Sequence, residues 1–257
     1  MSEDVVAVAD TSKWIAVLPL GAHEQHGPHL PFETDTTIAS GISRRLAGAL
    51  DPKLPVTFLP AEPVGYSIEH MDYDGSNTLG YGEAVERWVA IGEHLNGLGI
   101  RKMLMLNAHG GNSPLMTIVA TELRVRFGMF CVATSWTRFI TAGNDLSDDE
   151  KAYGIHGGDL ETSVMLALAP DSVQMEKAED FPSFQQELSS NKRYLRAYGP
   201  HAFGWKMQDL NQKGVVGNAT LATAEKGKKF LTEAVTGLCE LIRDMDQFDL
   251  SHFEGWN

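Results

Sequence analysis

The chain has 257 residues, room for one large domain or two small ones at roughly 100–200 residues each. Hydrophobic residues make up 43% and charged residues 21%, a balance that excludes a disordered tail protein. Its 34 acidic and 21 basic side chains give a formal charge of −13, which repels phosphate backbones and excludes general nucleic-acid binding.

The longest apolar runs, such as Trp14–Leu20 and Met103–Leu106, are too short to cross a bilayer. The acidic N-terminus Met1–Asp4 has neither the basic nor the apolar region of a signal peptide, so a cytoplasmic location is expected. The two cysteines, Cys131 and Cys239, lack C-x-x-C spacing, which excludes a disulfide scaffold and a cysteine-rich zinc site.

Strand-length apolar runs alternate with segments of helical period. Trp14–Leu20 reads as a buried strand, and Ile38, Ile42, Leu46 and Leu50 then mark one helix face. Val56–Leu59 is a second strand, and Glu83–Asn96 a helix ended by Gly97 and Gly99. The third strand, Lys102–Leu106, leads through a Gly-rich turn to Ser113-Pro114, a hydroxyl cap followed by proline at the first helical position. Leu115, Ile118, Val119, Leu123 and Val125 predict that this helix is mostly buried. A fourth strand, Met129–Ser135, and two helices, Asp159–Leu168 and Ala224–Met245, complete the series. Residues 144–150 and 182–204 lack periodicity and read as surface excursions that could cover the site. The alternation predicts an α/β fold, a single domain with a parallel sheet covered on both faces and a ligand site outside the carboxyl ends of the strands.

The densest polar cluster follows the first strand, with three histidines and three carboxylates between His23 and Asp35. Glu24 and His26 project to one side of an extended backbone, and Asp35 follows at the mouth of the next helix. Two carboxylates and an imidazole suit a divalent ion such as Zn²⁺, Mn²⁺ or Fe²⁺. The other reading is a polar loop whose histidines cap turns. The zinc-protease helix motif is absent, because His23 and His26 are three apart and Gly27-Pro28 forbids a helix.

A second cluster, Asn107-Ala108-His109-Gly110-Gly111-Asn112, also ends a strand. His109 can complete the ligand set, and Gly110 and Gly111 let backbone approach a ligand closely. A third, His156-Gly157-Gly158-Asp159-Leu160-Glu161-Thr162-Ser163, opens a helix with apolar flanks. Glu161 reads either as a metal ligand whose burial a cation offsets or as a first-turn carboxylate favoured by the helix dipole.

Taken together, Gly21 to Asp35 (G-x-x-E-Q-H-G-x-H-L-P…D), Asn107 to Asn112 (N-x-H-x-x-N) and His156 to Ser163 (H-G-G-x-x-E-T-S) resemble the creatininase (creatinine amidohydrolase) family. The resemblance implies a three-layer α/β/α domain over residues 1–257, commonly assembled as a hexamer, with two divalent ions, Zn²⁺ and/or Mn²⁺ or Fe²⁺. Carried over by motif, Glu24, Asp35 and His109 hold one ion, and Asp35 bridges to a second held by His26. Creatininase has a further glutamate ligand where this chain has Gly111, so Glu161 is inferred to close the second site and to be catalytic. His156 is a candidate for orienting the substrate or protonating the leaving nitrogen, or else makes a structural hydrogen bond. Ser67, His70, Gly110, Gly111 and His156 are candidate substrate contacts, and His29 a support to the ligands. The segment Gly65–Met71 differs from the creatinine enzyme and looks more like members that open formamides. The expected activity is hydrolysis of a non-peptide C–N bond in a small cyclic amide or formamide by water ionised between the metals. A peptide-trimming maturation enzyme of the same family, or a silent binding protein that keeps the fold, are the alternatives.

Overall fold

β1 (Ile15–Leu20) and β3 (Lys102–Asn107) run in parallel, side by side, from the Ile15–Lys102 pair to the Leu20–Asn107 pair. They form the centre of a four-stranded parallel sheet in the computed structural model, which describes residues 10–143 and 145–253. β2 (Val56–Phe58) joins β1 and β4 (Phe130–Ser135) joins β3, giving the order β2-β1-β3-β4. Met1–Asp4 and Asn144, read above as an acidic terminus and the start of an excursion, lie outside the described residues.

The helices are α1 (Thr34–Ala49), α2 (Tyr81–Gly97), α3 (Ser113–Phe127), α4 (Asp148–Tyr153), α5 (Asp159–Leu168), α6 (Phe184–Asn191), α7 (Met207–Leu210) and α8 (Ala224–Gln247). Successive strand residues point to opposite faces, which divides the core in two. Ile15, Val17, Leu104 and Leu106 pack with α1, α5 and α8. Ala16, Leu18, Leu20, Met103 and Met105 pack with α2 and α3 around Trp88. Both central strands are buried along their whole length, as a sheet covered on two sides requires. The parallel sheet covered on both faces that the alternation predicts, and the three-layer α/β/α arrangement that the resemblance implies, are therefore observed.

Three local expectations need correction. Residues 144–150 and 182–204 are not plain excursions, since they carry α4 and α6. Ser147 accepts the amide of Glu150 and Ser183 that of Gln185, so hydroxyl caps start both helices. Each is short and buries a polar residue, Glu150 or Gln185, which is why no apolar period announces it. A two-stranded antiparallel pair, β5 (Asp180–Phe181) and β6 (Gly217–Asn218), lies beside them.

In α3, Leu115, Val119 and Leu123 form the buried stripe, whereas Ile118 and Val125 face solvent. α3 also begins one residue earlier than its cap signal implies, with Ser113 as its first residue and Asn112 before it.

The sheet order places the site. The chain leaves β1 toward β2 on one side, while β3 stands on the other. Loops after β1 and β3 therefore diverge at the carboxyl edge and open a crevice between them.

Candidate active site

Three loops meet in that crevice. The loop after β1 turns at Gly27, whose φ of +73° suits glycine, and closes where the Glu24 amide donates to the Phe32 carbonyl. Asp35 then lies buried in the first turn of α1. The loop after β3 is pinned by Asn112, whose side-chain amide donates to the Gly21 carbonyl and to Asn107 Oδ1 and accepts from the Tyr66 amide. This is why Asn112 does not cap α3. The third segment opens α5 and is tied to the first by His29, whose Nε2 donates to the Gly157 carbonyl at 3.0 Å.

Glu24, His26, Asp35 and His109, predicted from two motifs, converge. Glu24 Oε1 lies 3.0 Å from His109 Nδ1, 3.4 Å from His70 Nε2 and 3.6 Å from His156 Nδ1. Asp35 Oδ1 faces His26 Nε2 at 3.4 Å, and its Oδ2 faces His109 Nδ1 at 3.5 Å. Among the described residues three overlapping donor groups arise, Glu24–Asp35–His109, His26–His156–Glu161 and Glu24–His70–His156, each with ligand atoms within 4.8 Å of one another. Glu161 thus reaches the second group, while its Oε2 also accepts the Gly157 amide at 2.7 Å. Its position suits either of the two roles weighed for it.

Backbone carbonyls set the ring nitrogens. His26 Nδ1 donates to the Glu24 carbonyl, His109 Nε2 to that of Tyr66 and His156 Nε2 to that of Gln25. When neutral, each ring therefore turns an unprotonated nitrogen toward the carboxylates, the arrangement that presents lone pairs to a cation.

The electrostatics follow from burial and crowding. Burial pushes the Glu24 carboxyl up, but His109, His70 and His156 outweigh it and hold it well below the usual range. Burial opposes charge on His26 and His109, yet Asp35 and Glu24 raise them to about 9 and about 10 respectively. Burial lifts Asp35, and lifts Glu161 to about 7. Burial, with other imidazoles nearby, keeps His156 well below its usual value and His70 at about 4. These carboxylates and imidazoles are thus packed closely enough to compete for protons.

Both oxygens of Glu24, Asp35 Oδ2 and His26 Nε2 are buried without a hydrogen-bond partner. Leaving such groups unpaired in the interior costs several kcal/mol, and a divalent cation offsets that cost. Mixed oxygen and imidazole donors fit Zn²⁺ or Mn²⁺.

Above the donors lies a cavity of about 430 Å³. His70, His109, Gly110, Gly111 and His156 line it, with Ile68, Ile155, Tyr198 and Trp205 among its walls. Tyr198 comes from the segment expected to cover the site. Ser67 stands apart from the other substrate candidates. It is fully buried, with its hydroxyl 3.3 Å from His109 Nε2, behind the ring rather than on the wall.

Sequence reasoning missed Glu69, which lines the cavity with Oε1 3.6 Å from His109 Nε2. Burial pushes its carboxyl up. Its position between Ser67 and His70, both singled out, was the available signal.

Fold and site define a three-layer α/β protein with a buried donor set for divalent metal. A family model described as creatininase, creatinine amidohydrolase, matches residues 1–242. The chain belongs to the creatininase family and is, on that membership, a hydrolase of carbon–nitrogen bonds. It is 28% identical over 235 residues to the mycofactocin precursor peptide peptidase of Mycobacterium tuberculosis, covering 85% of this chain and 80% of that one. It is 28% identical over 240 residues to a 2-amino-5-formylamino-6-ribosylaminopyrimidin-4(3H)-one 5'-monophosphate deformylase of Methanothermus fervidus, covering 91% and 86%. A solved creatinine amidohydrolase structure superposes with a TM-score of 0.72 at 24% identity, covering 96% of each chain, and shares the fold. Creatininase structures described as a Mn form and a Zn–Zn form share it too.

Proposed function

We propose that this chain is a two-metal amidohydrolase that opens a carbon–nitrogen bond in a small cyclic amide or formamide. The observation that carries the reading is Asp35, which turns one oxygen to His26 and the other to His109. A carboxylate so placed would serve both halves of a dinuclear centre. Glu24, Asp35 and His109 would hold one ion, and Asp35, His26 and Glu161, with His156 in reach, the other. The divalent ions would supply an ionised water near neutral pH and a Lewis acid for the amide carbonyl.

The chain's own groups do the rest. Carbonyls of Glu24, Tyr66 and Gln25 lock the rings, so the donors are preorganised. Backbone N–H groups at Gly110 and Gly111 border the cavity, where a developing oxyanion would sit. His156 borders the same space and turns Nδ1 inward, placed to orient the substrate or to pass a proton to the leaving nitrogen. Ile68 and Ile155 stand at the rim of the same cavity.

A peptide-trimming activity is the second reading. It is favoured by the exposed apolar rim, where Ile68 is 54% and Ile155 41% accessible, and by the likeness to a peptidase. The intact donor set argues against a silent binding protein. Zn²⁺ and/or Mn²⁺ as the native ions, a homo-oligomer (hexameric as the family resemblance implies) and a cytoplasmic location complete the reading. Among the described residues no helix is long and apolar enough to cross a membrane.

The test is a hydrolysis panel with Zn²⁺- or Mn²⁺-loaded protein, covering creatinine, formamidopyrimidines, lactams, hydantoins, simple formamides and short peptides. Chelator-sensitive turnover of a non-peptide amide is expected. Turnover of peptides alone would select the second reading, and no turnover by fully loaded protein would leave only binding.

A further inference from the structure

Among the described residues, Glu69 supplies the one carboxylate on the cavity wall, and no lysine or arginine lines it. Lys206, next to Trp205 in sequence, is turned away to Asp72 at 2.7 Å. Glu69 Oε1 lies 3.6 Å from His109 Nε2, but the single proton of that nitrogen goes to the Tyr66 carbonyl at 2.9 Å. Glu69 therefore receives no hydrogen bond from His109, and among the described residues no lysine or arginine pairs with it.

Gly111 explains how the carboxylate stays accessible. A Cβ at that position would fall 2.9 Å from Glu69 Oε1, 2.5 Å from His109 Nε2 and against the Tyr66 carbonyl. Only a residue without a side chain leaves Glu69 open at the turn that borders the reacting centre.

We infer that Glu69 selects the substrate, taking an amide that carries an ammonium or other N–H donor group beside the carbonyl to be attacked. A largely buried carboxylate in a cavity also lined by Ile68, Ile155 and Trp205 binds a cation more strongly than it would in water. A phosphorylated substrate finds no cationic side chain on this wall. The inference rests on the amidohydrolase reading and specifies its substrate class.

The test uses the Zn²⁺-loaded protein at pH 7 and two amides of nearly the same shape, β-alaninamide, which ends in an ammonium, and butyramide, which ends in a methyl. Calorimetric titration should give β-alaninamide at least about a tenfold tighter Kd in the wild type, and Glu69→Gln should bring the ratio close to one. Metal content measured on the same samples should be equal in the two proteins. A wild type without preference, a preference that survives in Glu69→Gln, or no binding of either amide would overturn the inference. So would loss of metal from the variant, since Glu69 would then be a ligand. Turnover and chelator sensitivity in the hydrolysis panel judge the parent reading separately, so selectivity can fail while that reading stands.

Discussion

His26 Nε2 meets Asp35 Oδ1 at 3.4 Å although the two residues stand nine positions apart, across a turn that includes Gly27-Pro28. Both side chains are almost fully buried, and neither His26 Nε2 nor Asp35 Oδ2 has a hydrogen-bond partner. The loop folds back on itself to bring a carboxylate and an imidazole together without satisfying either. A bound cation gives that arrangement a physical reason.

Asp35→Asn keeps the size of the side chain and removes the anion between the two donor groups. Turnover should fall on the order of a thousandfold or more, with reduced metal content measured on the same preparation. A variant with a near-normal rate would show that Asp35 is not a ligand.

Glu161→Gln retains a carbonyl oxygen for the Gly157 amide, so the opening of α5 should hold. It weakens only the His26–His156–Glu161 group. Metal titration should then show one site weakened well beyond the other. Equal weakening of both would contradict the assignment of Glu161 to the second ion.

His29 gives a pH signature in the fold rather than in the chemistry. Burial lowers it to about 4 from an ordinary 6.5, and its Nε2 is committed to the Gly157 carbonyl. Below pH 6.5 the unfolded chain takes up a proton that the folded chain refuses until about pH 4. The contribution of His29 to stability is thus present at neutral pH and lost as pH falls through that window. His29→Gln lacks this loss, so denaturant melts at pH 7 and pH 4.5 should show the wild-type advantage shrinking on acidification. An advantage independent of pH would mean that His29 titrates normally in the folded protein.

Gly227 near the start of α8 lies against the Ser163 carbonyl of α5, where an added Cβ would collide with backbone. Gly227→Ala should lower stability by about 2 kcal/mol, because neither helix can shift without disturbing the core around Phe230 and Val164. Thermal melting checks this, and an unchanged Tm would show that the two helices are less tightly fixed.

The layers were legible because they are periodic. Ile38–Leu46 and Leu115–Leu123 repeat at helical spacing, and the central strands are unbroken apolar runs, as a sheet buried on both faces dictates. The small elements beside the cavity escaped because caps and polar burial define them. Glu150 is held by the amides of Leu160 and Asn218, partners that no local pattern reveals. In the site, Glu24, His26, Asp35 and His109 stood out as polar residues crowded at strand ends. Glu69 did not, because its meaning depends on the missing side chain at Gly111, 42 positions away. Ser67 carried the right segment but the wrong side, since a hydroxyl behind a ring and one in front of it leave the same trace in a sequence.

Metal stoichiometry bears most directly on the central claim. Protein dialysed against excess Zn²⁺ or Mn²⁺, freed of loose ions and measured by atomic spectroscopy should hold two ions per chain, both released by chelator with a drop in Tm. One ion per chain, or none with an unchanged Tm, would contradict the account.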